Sequence, residues 1–251
     1  MLTYHKTGQN AQTIVSNTLW TQKFIWDTVT DLGETKIDDV AITAWRGVQL
    51  WENGPYWADC NVGASLPEDY GYYFWWGDTV GYKRKTGTDG WVSVKDGSSF
   101  SFNSANAPTY GMYNSTLLSN GYIDSTGNLT AEHDAATAHL GAPWRMPTSA
   151  EIDALISNCT TTWTNCNGVA GRLVAGKGDY ASRSIFLPAA GYGYGSSLDY
   201  TGSDGYYWSS TPNSGGSLSA WRLYFYSSDF DRDLNYRYLG QSVRPVRGFA
   251  E

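Results

Sequence analysis

Asp229, Asp231 and Asp233 alternate in DFDRD, the spacing with which an EF-hand loop gathers carboxylate oxygens around a calcium ion. The glycine at the loop's sixth position and the glutamate at its twelfth are missing, and Arg232 adds a competing charge. Calcium binding is therefore left as a minor alternative, and no metal ligand is assigned. Cys60, Cys159 and Cys166 cannot all pair within one chain, and their spacing fits no zinc pattern, so they read as free thiols. A Cys60–Cys159 contact is left open. His133 and His139 lie six apart on one expected helix, where their directions diverge, and His5 is remote. No G-x-S-x-G, phosphate-loop or dinucleotide fingerprint occurs in a usable setting. Gly191, Gly193 and Gly195 alternate in GYGYG without a following helix, and read as a flexible, tight loop. No catalytic residue, metal site or cofactor is expected, and the chain reads as a binding protein rather than an enzyme.

Composition agrees. The 251 residues include 12 Trp, 19 Tyr and 28 Gly, with only 16% charged residues and a net charge of -7. Such an acidic balance excludes a nucleic-acid partner, which would require a basic stripe. Aromatics in this number exceed what a core needs, and exposed Tyr gives rigid contact area at low entropic cost. The first residues lack the basic and apolar regions of a secretory signal, and no apolar run is long enough to cross a membrane.

The elements that must position these residues are few helices and many short strands. Thr130 is placed as N-cap of AEHDAATAHL, which stops at Gly141. Thr148 and Glu151 form a T-x-x-E capping box for SAEIDALISNC, with Ile152, Leu155 and Ile156 on one face. Strands are expected within Ile37 to Trp51 and in SIFLPAAGY, YYWSST, WRLYFY and SVRPVR. The stretch from Tyr82 to Thr126 reads as a long surface excursion. The expected class is α+β.

Three blocks carry a family resemblance: WADCNVGASLPEDYGYYFWWGDT, APWRMPTSAEIDALI, and the run SIFLPAAGY, GYYWSST, SVRPVR. In this order they resemble the Fibrobacter succinogenes major paralogous domain family, over about Trp57 to Arg247. The resemblance implies a C-type lectin-like fold of the formylglycine-generating-enzyme branch, with two helices, short twisted antiparallel strands and long irregular loops. It implies an N-terminal segment over 1–44, for assembly or completing strands, and a domain over 45–251. Catalysis of the formylglycine-generating type needs two late cysteines, and none follows Cys166. The E-P-N, Q-P-D and W-N-D signatures of sugar-binding lectins are missing too.

Members of that family are often variable proteins of diversity-generating retroelements, which rewrite adenines of template Asn codons. Such codons become Tyr, Asp, Ser, Leu or Arg, but not Lys, Glu, Gln, Met or Trp. From Ile185 to Ala250 every acidic residue is Asp, and Glu, Lys and Met are absent. The resemblance therefore implies a variable region over about 192–240. In WRLYFY, alternation turns Leu223 and Phe225 inward and Arg222, Tyr224 and Tyr226 outward. Asp229, Asp231, Asp233, Leu234, Asn235, Tyr236 and Leu239 are expected to vary around Phe230, Arg232, Arg237 and Tyr238 as frame. Upstream, Tyr194, Asp199, Tyr200, Asp204, Tyr206 and Leu218 complete the expected face, while Trp208, Trp221 and Val243 belong to the frame. The implied function is receptor or ligand binding on a phage tail in the virion, or on a bacterial cell surface, with a cell-surface protein or glycan as partner. Trimerisation suits a tail-tip protein. A fixed-specificity carbohydrate-binding lectin is the alternative, and a degenerate enzyme a weaker one.

Overall fold

The computed structural model describes residues 2–4, 12–14 and 47–248. The chain divides into two units, Met1–Trp45 and Arg46–Glu251. In the first, β1 (Leu2–Tyr4) pairs antiparallel with β2 (Gln12–Ile14). Of the strands expected within Ile37 to Trp51, residues 37–46 lie outside the described residues, and β3 (Gly47–Gln49) is present.

The second unit continues with β4 (Tyr56–Ala58), β5 (Tyr82–Arg84), β6 (Trp91–Ser93) and β7 (Ser99–Phe100). Then come α1 (Asn114–Ser119), α2 (Ala135–Leu140), β8 (Trp144–Arg145) and α3 (Ser149–Asn158). A hairpin of β9 (Thr160–Cys166) and β10 (Val169–Ala175) leads to β11 (Ser184–Pro188). The last strands are β12 (Tyr192–Tyr194), β13 (Ser197–Asp199), β14 (Gly205–Pro212), β15 (Ser219–Phe225), β16 (Phe230–Tyr236) and β17 (Val246–Arg247). They assemble into small antiparallel sheets with strand orders β3-β4-β17-β8, β5-β6-β7, β11-β10-β9, β12-β13 and β14-β15-β16.

Among the described residues the fold is thus mostly β, with 37% strand and 14% helix. This corrects the expected α+β, C-type lectin-like class. The described α-helices are only six, six and ten residues long. α1 stops at Asn120-Gly121, α2 at Gly141, and α3 at Cys159, where the β-branched Thr160–Thr162 run begins β9. The supposed excursion from Tyr82 to Thr126 holds the β5-β6-β7 sheet and α1. Its aromatics, Tyr82, Trp91 and Phe102, fill a core cluster rather than decorating a loop.

Helix starts divide in the same way. Thr148 and Glu151 close the capping box of α3 reciprocally. Arg145 grips Glu151 with two hydrogen bonds of 2.7 and 2.6 Å. Thr130, in contrast, caps only a 3-10 turn over Ala131–His133 and makes no side-chain cap bond. Asp134 is the true cap of α2, accepting from the Thr137 amide at 2.9 Å. Its second oxygen takes the Met146 amide at 2.8 Å, and burial raises its pKa.

Buried arginines tie the loops to the frame. Arg244 is enclosed and donates to Asn61 Oδ1 and to the carbonyls of Ala58, Asp59 and Phe186. Arg237, also enclosed, donates to the Ser219, Thr109 and Met112 carbonyls beside the Trp76 ring. A guanidinium presents five donors in a fixed fork, so each side chain joins loop carbonyls, such as those of Asp59, Thr109 and Met112, to carbonyls of the strands.

Candidate ligand-binding face

The β14-β15-β16 sheet has two sides set by the period of two. On one side Tyr207, Leu223 and Phe225 enter the core with Trp57, Ile152, Leu155 and Val246. Phe230 packs against the same cluster. Phe225 is fully buried, worth about 2–3 kcal/mol of apolar transfer. The expected inward placement of Leu223 and Phe225 is what the structure has. Trp208 and Val243 belong to a second cluster with Trp76 and Leu117.

The opposite side carries Tyr206, Arg222 and Tyr224: in the register Tyr224 lies between Tyr206 and Asp231, and Arg222 between Trp208 and Asp233. Their rings join a continuous run of tyrosines. Tyr192 stacks on Tyr200 at 5.7 Å and meets Tyr206 edge-on at 4.9 Å. Tyr206 lies 5.1 Å from Tyr224, which lies 5.7 Å from Tyr226. A second run links Tyr110, Tyr238, Tyr236 and Tyr194.

Not every expected surface residue is at the surface. Tyr194, Tyr200, Leu218, Tyr226 and Tyr236 are exposed, as are Asp229, Asp231 and Asp233. Asp199, Tyr224, Leu234 and Asn235 are half-buried. Asp204, Tyr206, Arg222 and Leu239 are buried, which corrects their expected outward placement. Neighbouring rings pack on Tyr206 and Arg222: Tyr206 meets Tyr192 at 4.9 Å, and Arg222 lies 4.6 Å from the Tyr206 ring and 4.4 Å from the Tyr224 ring. Asp204 is held under Tyr224, whose phenol donates to it at 2.9 Å. Asp204, Tyr206 and Arg222 form the floor of the face, and the exposed residues form its relief.

Burial pulls the Arg222 guanidinium below its usual range, against the attraction of Asp233. Its Nη2 donates to Asp233 Oδ2 at 3.1 Å, while Nε and Nη1 have no hydrogen-bond partner among the described residues. Burial, then the bond to Asp204, pushes the Tyr224 phenol up to about 12.

The alternating acids act on the sheet edge. β16 is the outer strand of its sheet. The Tyr226 amide bonds the Asp229 carbonyl and the Arg237 amide the Leu218 carbonyl. That phase turns the amides of Phe230, Arg232, Leu234 and Tyr236 away from β15. Each is taken by the side chain one residue before it: Asp229, Asp231, Asp233 and Asn235, at 2.9, 2.7, 2.7 and 2.9 Å. The DFDRDLN pattern is therefore a self-capped edge, a device that blunts pairing with another strand. The geometry leaves the acids spread along a strand rather than converging on one point, and no metal-holding group of His, Cys, Asp or Glu occurs among the described residues.

The remaining chemistry candidates are dispersed. Cys60, Cys159 and Cys166 are free, and burial lifts Cys60 to about 12 and Cys159 to about 11, making them poor nucleophiles at neutral pH. His139 packs edge-on to Tyr72 and Phe74, and His133 lies against Tyr122. The GYGYG run is not a flexible loop. Gly193 is in β12 and exchanges backbone hydrogen bonds with Gly240 at 2.7 and 2.9 Å. A Cβ there would sit 2.5 Å from the Phe102 ring, so the glycine permits close packing.

Sequence reasoning missed Tyr110 and Tyr192 as members of the face. Tyr192 alternates with Tyr194 around Gly193, a strand signal that the glycines obscured. Tyr110 lies in the segment read as an excursion, and nothing local marks it.

A family model described as a domain of unknown function (DUF8237) matches residues 176–246, the stretch that includes β11 to β16. No curated protein and no solved structure matches the chain.

Proposed function

We propose that the chain is a ligand- or receptor-binding protein whose C-terminal surface is diversified by a retroelement, for attachment at a phage or bacterial surface. The observation that supports this most is the division of labour within β15. Leu223 and Phe225 are locked in the core, while the same strand and its turn present Tyr224 and Tyr226 to an aromatic, acid-edged face. A frame of that kind lets outer side chains change without refolding, and preorganisation limits the entropy lost on binding. Tyrosine suits such a face because two χ angles fix a large amphipathic surface. Display of many copies on a tail or cell surface would multiply weak single contacts. Exposed tyrosines also stack on sugar rings, which favours a carbohydrate-binding lectin of fixed specificity as the second reading.

A display library randomised at Tyr194, Tyr200, Tyr226, Asp229, Asp231 and Tyr236 tests the reading. Selection on unrelated protein and glycan targets should yield new specificities in clones that unfold within a few degrees of the parent. Clones that lose their fold, or a face whose binding survives every substitution, would contradict it.

A further inference from the structure

The charges of this face do not balance, and the imbalance names a partner chemistry. Asp229, Asp231 and Asp233 are exposed on β16 and the turn before it. Their Oδ1 atoms are used on the strand's own amides, which leaves the second oxygens of Asp229 and Asp231 facing outward. Among the described residues, the cations near this edge are already engaged. Arg222 is covered and paired with Asp233, Arg232 with Asp153, and Arg84 with Asp89. Arg172 donates to the Tyr226 and Asp229 carbonyls. No lysine follows Lys177.

The face also contains a filled example of the contact that it lacks elsewhere. The Arg222 guanidinium lies within 4.6 Å of two tyrosine rings and 3.1 Å from a carboxylate. Beside it, exposed Tyr226 with Asp229 and Asp231 supplies a ring and carboxylates in no ion pair, the nearby Arg172 guanidinium being held on the Tyr226 and Asp229 backbone carbonyls. Cations over tyrosine faces are attracted by the ring quadrupole, and more so as they are desolvated. An arginine or lysine side chain of a peptide supplies the cation that this second ring and its carboxylates lack.

Resting on the binding-face reading above, we propose that in this chain the tyrosine–aspartate face takes an Arg- or Lys-bearing segment of a partner protein. The test is fluorescence anisotropy with a labelled peptide of repeating Arg-Gly-Ser, and a Glu-Gly-Ser peptide as its counterpart. The first variant is D229N/D231N/D233N, because Asn keeps the Oδ1 atom that caps the edge while removing the charge. The second, E52Q/E132Q/D179N, removes three exposed charges elsewhere. The full chain should bind the Arg peptide and not the Glu peptide. The face variant should lose about tenfold in affinity, and the control variant less than about twofold. Equal losses in both variants, or binding of the Glu peptide, would overturn the proposal. Failure of both peptides alongside successful library selection would reject the cationic partner and leave the binding face standing.

Discussion

Arg222 and Asp233 stand opposite each other in the β15–β16 register and share a hydrogen bond of 3.1 Å, although the first is buried and the second exposed. Asp233 also takes the Leu234 amide at 2.7 Å. One carboxylate thus joins the floor of the tyrosine face to the capped edge of the sheet.

Removing that carboxylate should uncouple the two. D233A leaves the Leu234 amide and Arg222 Nη2 without a side-chain acceptor, and should cost about 1 kcal/mol, since the exposed partner is screened by water. D233N, which keeps the amide cap, should cost about half as much. Urea unfolding of the three proteins checks the order, and equal midpoints would contradict it.

Stripping the edge should change association rather than fold. D229A/D231A/N235A frees the amides of Phe230, Arg232 and Tyr236 along an outer strand. Sedimentation velocity should show concentration-dependent assembly beyond that of the parent chain. An unchanged distribution would mean that the side-chain caps do not guard this edge.

Frame and relief should differ sharply in their cost. F225A removes a fully buried ring and should destabilise by about 3–5 kcal/mol. Y226S, one residue on and exposed, should stay within about 0.5 kcal/mol. Similar losses in both would refute a tolerant surface on a rigid frame.

Alkaline titration isolates Tyr224. Its phenol is raised from 10.0 to about 12 by burial and by Asp204. The unfolded chain releases this proton first, so the contribution to stability is complete below pH 10 and is lost as pH rises from there to about 12. Phenolate absorbance should show a late-titrating group that Y224F lacks, and the variant's stability should fall less steeply over that window.

Much of the frame was legible in the sequence, because local signals decided it. The T-x-x-E box of α3 and the alternation in WRLYFY each depend on neighbours within a few residues, and both hold. The fold class was not legible. The hairpin of Thr160–Cys166 and Val169–Ala175, paired over seven residues each, was signalled locally by the two-residue Asn167-Gly168 turn between Thr- and Val-bearing runs, yet it is absent from the expected elements. What no local signal gives is how the hairpins combine into several small sheets. Of the face, exposed Tyr200 and Tyr226 could be read from pattern alone. The burial of Tyr206 and Arg222 could not, because it comes from rings that other strands and turns contribute. The three aspartates were visible as a spacing, but only the strand's edge position shows that they cap amides.

The most direct test of diversification is the DNA beside the gene. Comparison of the codons for 192–240 with the flanking sequence should find a near-identical second copy. Differences should fall at adenines of the copy, in codons for exposed residues such as Tyr194, Tyr200, Tyr226, Asp229 and Asp231. Codons for Tyr207, Trp208, Leu223 and Phe225 should match. Absence of such a copy, or differences concentrated in the core codons, would contradict the account.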